Sequence, residues 1–249
     1  MRIMSIGSGS TGNSFFLELV GKEILIDLGL NCKTIVNALK PLGVGPADID
    51  AVFITHTHSD HTSALDVIKK KLCCPYYMSE LSYAKLFLPG TTVMVPGKSV
   101  QLSEELTVRA ESTSHDCPGS LCYRFDTPNE SFGYATDLGH ISDEIQEMLA
   151  GVGTLVLECN HDVQMLKDGP YPVLLKQRIL SDAGHLSNDA CAAAAADFAK
   201  AGTKNIFLAH LSKENNTPQK AYEAVRRAVS GCNVRLTVLN PSGNPAEIL

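Results

Sequence analysis

The chain has 249 residues, of which 44% are apolar and 19% charged, and this balance predicts one folded domain with a substantial core. The formal net charge of −6 excludes the overall positive field typical of nucleic-acid-binding proteins, although a metal centre would bring its own concentrated positive charge. No apolar run has the length of an export signal or a membrane span, so we expect a cytoplasmic protein whose eight cysteines are reduced.

Short apolar runs alternate with helical patterns along the whole chain. In the first third, the patterns predict strands over residues 3–6, 15–20, 23–28 and 51–55 and helices over residues 33–39 and 63–72. In the middle third, they predict strands over residues 100–102, 106–111, 120–125, 132–136 and 154–158 and a helix over residues 142–150. In the last third, they predict helices over residues 188–201 and 218–230 and strands over residues 205–208 and 234–239. Two packed sheets with helices outside, in a single domain over residues 1–249, would satisfy this order.

A cluster of metal-binding side chains follows the predicted buried strand at residues 51–55. It has the sequence His56-Thr57-His58-Ser59-Asp60-His61. Because side chains two apart on an extended chain share a face, His56 and His58 can bind one metal ion. Asp60 and His61 lie beyond, where the chain turns, and can face a second ion. Since imidazole and carboxylate ligands suit Zn, Mn or Fe, the cluster predicts a hydrolase that uses two divalent metal ions.

The pattern His-x-His-x-Asp-His after a strand resembles the signature of the metallo-β-lactamase superfamily, and the other motifs of that superfamily follow in order. The resemblance implies an α/β (α+β) fold, a four-layer αββα sandwich. It also implies that Asp27 orients a ligand rather than binding metal itself. The implied ligands are His56, His58 and His115 for one ion and Asp60, His61 and His210 for the other, with Asp137 bridging the two.

Two metal ions roughly 3.5–4 Å apart can share a hydroxide and lower its pKa towards neutrality, which predicts hydrolysis but not the substrate. The second half of the chain resembles the tRNase Z-type phosphodiesterases, in which a Glu after a strand and a His in a Gly-His-Ser/Thr segment form a pair. By that resemblance, Glu158 would orient His185, and His185 would protonate the leaving oxygen. With Asp60, these two are the candidate catalytic residues. His161 is near in sequence and could take the place of His185.

Longer stretches resemble the bacterial YycJ/WalJ-like branch, which implies a 5′-to-3′ DNA exonuclease. In chain order they are Ser8-Gly9-Ser10-Thr11-Gly12-Asn13-Ser14, Glu158-Cys159-Asn160-His161-Asp162, Gly184-His185-Leu186-Ser187-Asn188 and His210-Leu211-Ser212-Lys213-Glu214-Asn215-Asn216.

Several polar residues are candidates for binding a phosphodiester. Ser10 and Asn13 lie in a Gly/Ser loop, which either cradles a phosphate or simply connects two strands. Lys213 and Asn216 follow His210 and either touch a phosphate or belong to a polar loop. The run Lys69-Lys70-Lys71 is better explained as a solvated helix face. Lys167, Lys176 and Arg178 could contact a polyanion backbone, and Tyr171 could add stacking.

We therefore expect a metal-dependent phosphodiesterase that acts on DNA ends. The alternative on the same site is hydrolysis of a small ester, thioester or lactone, which the negative charge favours and the Glu158/His185 pair opposes. An iron oxidoreductase lacks support because no flavin domain follows, and a non-catalytic scaffold is opposed by the complete ligand set. The segment between Asp137 and His210 is too short for the inserted domain of the β-CASP nucleases, and no long arm suited to gripping tRNA is present.

Overall fold

Two seven-stranded β-sheets form the centre of the computed structural model, which describes residues 1–249. The first sheet contains β1 (Arg2–Gly7), β2 (Ser14–Leu19), β3 (Lys22–Ile26), β4 (Ala51–Phe53), β5 (Tyr76–Met78) and β6 (Thr91–Val93). The second contains β7 (Ser99–Ser103), β8 (Leu106–Ser112), β9 (Leu121–Asp126), β10 (Ser131–Ala135), β11 (Thr154–Glu158), β12 (Asn205–Ala209) and β13 (Arg235–Val238). The C-terminal strand β14 (Glu247–Ile248) returns to the first sheet beside β1.

The helices lie on the outer faces of the sheets and in the loops that leave them. In chain order they are α1 (Cys32–Leu39), α2 (Ser59–Thr62), α3 (Leu65–Ile68), α4 (Glu80–Leu86), α5 (Asp143–Leu149), α6 (Val163–Asp168), α7 (Val173–Ile179), α8 (Asn188–Lys200) and α9 (Pro218–Ala228). Short 3₁₀ turns cover Lys40–Leu42 and Pro46–Asp48. No helix combines the length and apolar character needed to cross a membrane. All eight cysteines are free thiols.

Both sheets have an antiparallel half and a parallel half. In the first, β1 to β3 are antiparallel and β3 to β6 are parallel. In the second, β7 to β10 are antiparallel and β10 to β13 are parallel. Because parallel neighbours end at the same edge of a sheet, the loops that follow β3 and β4, and those that follow β10, β11 and β12, leave from common edges.

Three buried apolar layers hold the fold together. The layer between the sheets is rich in aromatic residues: Phe53 stacks on Tyr77 at a centroid distance of 4.6 Å, and Phe15 packs on Phe132 of the other sheet at 5.5 Å. A second layer lies between the first sheet and helices α1 and α3, and a third between the second sheet and helices α5, α8 and α9. Truncating one buried Phe to Ala in such a layer costs about 3–5 kcal/mol. The predicted four-layer αββα sandwich is confirmed.

The helix predicted over residues 63–72 is too long, because only Leu65–Ile68 (α3) is α-helical in that range. The chain also forms the unpredicted α2 inside the histidine cluster, and residues 63 and 64 separate it from α3. Leu28 donates to His61 O at 2.8 Å, and Ala64 donates to Leu28 O at 2.9 Å. These bonds dock the cluster onto the loop after β3 and replace helical bonds, so a continuous helix cannot form.

Several short elements were not predicted from the sequence. Strands β5 and β6 have three residues each, and α4, α6 and α7 have seven or fewer. Elements of this length contain less than two full periods of apolar alternation, so their sequence pattern cannot be distinguished from that of a loop. Among the predicted elements, β4 ends at Phe53, two residues earlier than expected.

Candidate metal centre

Three residues of the site have a left-handed backbone conformation one or two positions beyond the ends of their strands. Asp27 follows β3 with φ 61°, Asp137 follows β10 with φ 59°, and His210 follows β12 with φ 56°. Such angles are uncommon for residues other than glycine, and they occur mainly where the surrounding structure imposes them. Here they turn each side chain sharply away from its strand and towards a common point at the edge of the two sheets.

Three histidines bring one nitrogen each to the first cluster. His56 Nε2 lies 3.1 Å from His58 Nδ1, and His115 Nε2 lies 3.3 Å from the same atom. The donor atoms of the three lie within 4.8 Å of one another. His56 is fully buried, whereas the side chain of His58 is 34% exposed and forms part of the cavity wall. The cluster unites the loop after β4 and the loop after β8, which are distant in sequence.

Asp60, His61 and His210 form a second cluster beside the first. Asp60 Oδ2 lies 3.5 Å from His61 Nε2 and 3.9 Å from His210 Nε2. Asp137 lies between the two clusters, with Oδ2 at 3.3 Å from His61 Nε2 and Oδ1 at 3.9 Å from His115 Nε2. All seven residues proposed from the sequence as ligands therefore meet at one place, and the Asp137 carboxylate has the intermediate position expected of a bridge.

The unused polar atoms of the clusters fit divalent metal ions. Asp137 Oδ2 and His210 Nε2 are buried and have no hydrogen-bond partner. Buried polar atoms are normally satisfied, because leaving one unpaired costs free energy. Both atoms face the other donors, and a cation there would satisfy them. Imidazole nitrogens and carboxylate oxygens in these proportions are ligands for Zn, Mn or Fe.

Four of the histidines have their other ring nitrogen held by the protein. Nδ1 of His56 contacts Thr55 Oγ1 at 3.0 Å, that of His61 donates to Asp27 at 2.7 Å, and that of His115 faces Gly184 O at 3.3 Å. His210 Nδ1 donates to Glu158 Oε1 at 2.7 Å. A donor role for Nδ1 leaves the lone pair of Nε2 free, which is the form that binds metal.

Asp27 supports this arrangement without reaching the cluster of donor atoms. It is fully buried, and it also accepts hydrogen bonds from Thr55 N and Thr55 Oγ1, each at 2.8 Å. Burial lowers the pKa of His61, but the carboxylates of Asp137 and Asp27 outweigh that effect and raise it to about 10. The excess of negative charge around His61 is suited to a cation in the centre of the site.

Glu158 links the metal centre to His185. Its Oε1 accepts from Nδ1 of His210 at 2.7 Å and from Nδ1 of His185 at 2.8 Å. Its Oε2 accepts from the backbone N–H groups of Leu138 and Leu186 at 3.1 and 3.0 Å. Although burial raises the pKa of this carboxyl, His185 and His210 outweigh it and lower the pKa to about 2. Glu158 is thus a fixed negative charge with every lone pair directed at a donor.

His185 and His161 differ sharply in their surroundings. Burial lowers the pKa of His185, but the Glu158 carboxylate outweighs it and the pKa is raised, while the side chain remains 20% exposed at the cavity. His161 is buried, neither of its ring nitrogens has a partner, and burial lowers its pKa to about 4. His161 is therefore neutral near pH 7 and cannot compete as a proton donor, whereas His185 can hold a proton.

A polar cavity of about 270 Å³ opens above the two clusters. Its floor consists of metal-ligand candidates and His185. The sequence interpretation missed four residues of its walls, Asn160, Leu175, Ile179 and Ser212. Asn160 and Ser212 lie in two of the stretches that resemble the YycJ/WalJ-like branch. Each comes two residues after a site residue, Glu158 or His210, and this spacing is the signal that could have identified them. Leu175 and Ile179 belong to α7, which had no detectable pattern.

The four candidate phosphate contacts are placed differently from one another. Ser10 lines the cavity, and Lys213 is exposed but does not line it. Asn13 is buried, with Oδ1 accepting from Gly9 N at 2.8 Å and Nδ2 3.0 Å from His61 Nε2. Asn216 is also buried, and its Nδ2 donates to the backbone oxygens of Cys159 and Asn160. The placement of both asparagines does not support a phosphate contact; they brace the loops around the clusters.

Comparisons with known proteins place the chain in a family and agree with its fold. A family model described as "Beta-lactamase superfamily domain" matches residues 22–210. The chain is 37% identical over 226 residues to exodeoxyribonuclease WalJ of Streptococcus pneumoniae, a match that covers 87% of this chain and 84% of that protein. It is 34% identical over 230 residues to exodeoxyribonuclease YycJ of Bacillus anthracis, covering 90% and 87%. The crystal structure of the metallo-β-lactamase-fold protein YhfI from Bacillus subtilis superposes with a TM-score of 0.75 at 16% identity, covering 99% of both chains.

Proposed function

This chain belongs to the β-lactamase superfamily, in the branch that contains WalJ and YycJ, and we propose that it is a metal-dependent 5′-to-3′ DNA exonuclease. The observation that carries the proposal is the position of Glu158 Oε1, which bonds both the ligand candidate His210 and the cavity residue His185. Hydrolysis of an activated ester needs no proton donor for its leaving group. A sugar alkoxide does, so this pair favours a phosphodiester substrate.

The residues of the two clusters would hold two divalent metal ions, of which Zn, Mn and Fe are the candidates. When bound, the metals supply Lewis acidity and an activated water nucleophile. Asp137 would contact both sites with its two oxygens, and Asp60 would complete the second site from the open side of the cavity. Asp27, Thr55 and Glu158 hold the imidazoles in the tautomer that presents Nε2.

The protein's own contribution to bond cleavage is the proton on His185. Nδ1 is occupied by Glu158, so the proton available for transfer is on Nε2, at the cavity. The Glu158 carboxylate stabilises the charged imidazolium before transfer and fixes the ring plane. A proton delivered from Nε2 to the departing sugar oxygen avoids the release of a free alkoxide. Ser10 and Ser212 line the same cavity and can donate hydrogen bonds to non-bridging phosphate oxygens.

DNA as the substrate, and its ends as the site of attack, are supported by the relatives. WalJ and YycJ are both named exodeoxyribonucleases and match this chain over most of its length. An intracellular substrate would also suit a chain whose eight cysteines are all free thiols, and we propose a cytoplasmic location on that basis.

A second candidate is a small-molecule ester, thioester or lactone hydrolase on the same two-metal site. The net charge of −6 favours it, because long polyanions are repelled by a negative surface. The Glu158–His185 pair disfavours a thioester, since a thiolate leaves without a strong general acid. A lactone also releases an alkoxide, so the substrate panel below has to distinguish it from DNA.

A substrate panel on metal-replete protein tests the proposal. It contains single- and double-stranded DNA and RNA labelled at either end, a thioester, a lactone and bis(p-nitrophenyl) phosphate. We expect stepwise loss of nucleotides from the 5′ end of DNA, abolished in His58→Ala and Asp137→Ala without loss of the folded circular dichroism spectrum. His140→Ala is the matched control, because His140 is an exposed histidine outside the cavity. If the protein hydrolyses the thioester or lactone and leaves DNA uncleaved, the nuclease proposal is refuted in favour of the alternative.

A further inference from the structure

Three segments that carry residues of the site meet beside the metal centre. They are residues 158–162 at the end of β11, residues 184–188 before α8 and residues 210–216 after β12. The first carries Glu158, the second His185 and the third His210. Because Glu158 Oε1 bonds both histidines, the geometry of these bonds depends on how the three segments are placed relative to one another.

Two buried asparagines, Asn188 and Asn216, join the second segment to the third through their side-chain amides; we call them the amide pair. Asn188 Nδ2 donates to Asn216 Oδ1 at 2.9 Å, and Asn216 Nδ2 donates to Asn188 Oδ1 at 2.8 Å. The two residues are only 4% and 5% exposed. Neither lines the cavity, so the amide pair acts on the protein and not on a substrate.

The amide pair also holds the backbone directly after Glu158. Asn216 Nδ2 donates to the carbonyl oxygens of Cys159 and Asn160 at 2.9 and 3.0 Å. The Cys159 thiol donates to Asn188 Oδ1 at 3.1 Å. An amide NH₂ group has two hydrogens, so Asn216 shares one of them between two acceptors. Every polar side-chain atom of the amide pair is engaged, and a buried network of this kind favours one arrangement of the segments it joins.

Backbone hydrogen bonds complete the connections of the first segment. Asn160 N donates to Leu186 O at 2.9 Å, and Asn188 N donates to His161 O at 2.8 Å. Ser212 N donates to Asn160 O at 2.8 Å. The first segment is thus bonded to both of the others. No backbone bond joins the second segment to the third, so the amide pair supplies that link.

His210 has anchors of its own, whereas His185 lies in a loop. The N–H of His210 donates to Ser8 Oγ at 2.8 Å, and its carbonyl oxygen accepts from Asn160 Nδ2 at 2.9 Å. His210 also follows β12 directly. His185 lies between α7 and α8, and its N–H donates to Ile179 O at 3.1 Å. Loss of the amide pair would therefore displace His185 rather than His210.

We propose that the amide pair, Asn188 and Asn216, positions the proton donor His185. It holds the His185 loop at the distance from His210 at which Glu158 Oε1 bonds both imidazoles. The inference rests on the proposed nuclease function and adds to it the residues that set the geometry of proton transfer. Misplacement of a reacting group by roughly 1 Å lowers a rate about 100-fold, so a buried bond far from the substrate is sufficient to control this step.

Hydrogen exchange tests the connection without a substrate. We expect Asn216→Ala to speed exchange of the backbone amides in residues 185–190 about tenfold or more, the effect of losing one or two buried hydrogen bonds. Residues 14–26 of the first sheet should exchange as in wild type. Mass spectrometry of peptides measures both. Asn205→Ala is the matched control, because Asn205 is a half-buried asparagine at the opposite end of β12, where its amide donates to Thr154 Oγ1 at 3.3 Å.

Cleavage kinetics test the effect on proton donation. On DNA, Asn216→Ala should lower kcat about 100-fold and change KM by less than about threefold. With bis(p-nitrophenyl) phosphate, whose leaving group needs no proton, kcat should fall less than about threefold. Elemental analysis should find the metal content of wild type, because His210 keeps its own anchors. Equal losses on the two substrates, or loss of metal, would show a general structural role and overturn the positioning of His185.

A second variant covers the case in which Asn216→Ala does not fold. Asn188→Ala keeps the bonds from Asn216 to the carbonyl oxygens of Cys159 and Asn160. It should give the same selective loss on DNA, of about tenfold in kcat, since fewer bonds are removed. If the two asparagines act as one unit, the double variant should lose no more than Asn216→Ala alone. Losses that multiply would contradict a single positioning unit.

Failure of this inference and failure of the proposed function give different results. If wild-type protein cleaves DNA and both variants exchange like wild type in residues 185–190, the positioning role is overturned and a nuclease remains. If wild-type protein cleaves no DNA, the proposed function fails. The exchange measurements then still decide whether the amide pair holds the His185 loop.

Discussion

At the scale of single residues, the role of each histidine follows from what holds its second nitrogen. His61 is held by Asp27 and His210 by Glu158, so Nε2 of each faces the other donor atoms of its cluster. His185 has the same carboxylate partner as His210 but stands at the cavity, outside the two ligand clusters proposed from the sequence. His161 has no partner and is buried, so it is a neutral part of the core. Under the proposed function, one residue type would therefore serve as ligand, proton donor and structural residue within one site.

Replacement of His185 by alanine should separate proton donation from metal chemistry. We expect His185→Ala to lower kcat on DNA by about 10²–10⁴-fold, the usual contribution of a general acid, because the sugar alkoxide then leaves unprotonated. With bis(p-nitrophenyl) phosphate, whose nitrophenolate leaves readily, the loss should be less than about tenfold. Steady-state kinetics on both substrates measure the difference, with His140→Ala as the control. Equal losses on the two substrates would contradict the proton-donor role.

At the scale of elements, the site depends on how the loop after β3 meets the histidine cluster after β4. Leu28 N donates to His61 O, and Ala64 N donates to Leu28 O. In addition, Asn13 N donates to Asp60 O at 2.7 Å, and Gly29 N donates to Asn13 O at 2.8 Å. These contacts join the loops after β1, β3 and β4 into one backbone layer. A side chain at position 29 would push these loops apart, which explains the glycine there.

Gly29→Ala should damage both stability and metal binding. A Cβ atom at Gly29 would overlap the backbone carbonyl of Asp60, which cannot move without displacing the carboxylate beside it. We expect a loss of about 3 kcal/mol or more in the free energy of unfolding, at or above the upper end for overpacking, because backbone rather than a side chain is in the way. Gly231→Ala is the matched control, since nothing lies within 4 Å of its Cβ position. Urea unfolding and metal titration measure the two effects; wild-type values for Gly29→Ala would contradict the close approach.

At the scale of the whole molecule, the two sheets each deliver part of the site to a shared edge. The first sheet supplies Asp27 after β3 and the histidine cluster after β4, and the second supplies Asp137, Glu158 and His210 from the ends of β10, β11 and β12. Neither sheet holds a complete ligand set, so the site exists only when the aromatic layer between them has formed. Metal binding and the packing of the two sheets should therefore stabilise one another.

Removal of metal should lower the stability of the entire domain. Chelation would leave Asp137 Oδ2 and His210 Nε2 buried without partners, so we expect a lower Tm that rises again when Mn or Zn is added. At a free metal concentration about 100 times Kd, the gain in free energy of unfolding should be about 2.7 kcal/mol. Scanning calorimetry with elemental analysis measures this, and Asp137→Ala should show a much smaller gain. An unchanged Tm after proven metal loss would contradict the coupling.

Most of the fold, and the convergence of the seven candidate ligands, could be predicted from the sequence, and the reasons are local. Strands such as β11 and helices such as α8 are long enough to show a full period of apolar residues, and α8 is preceded by Ser187, which caps it. His56 to His61 are close in sequence, so their spacing alone placed them at one metal centre. The resemblance of later motifs supplied His115, Asp137 and His210, which spacing could not connect.

The sequence by itself determined the αββα architecture, the set of candidate ligands that meets at one place and the pairing of Glu158 with His185, because each rests on short-range pattern or on recognisable motifs. Only the tertiary structure decided which polar residues face the cavity. Asn13 and Asn216 point inward and bond backbone and candidate-ligand groups, whereas Asn160, Ser212 and three residues of α7 line the cavity. The physical reason is that buried polar groups from all parts of the fold compete for hydrogen-bond partners, and this competition sets the direction of each polar side chain. The residues next to it in sequence do not reveal those partners.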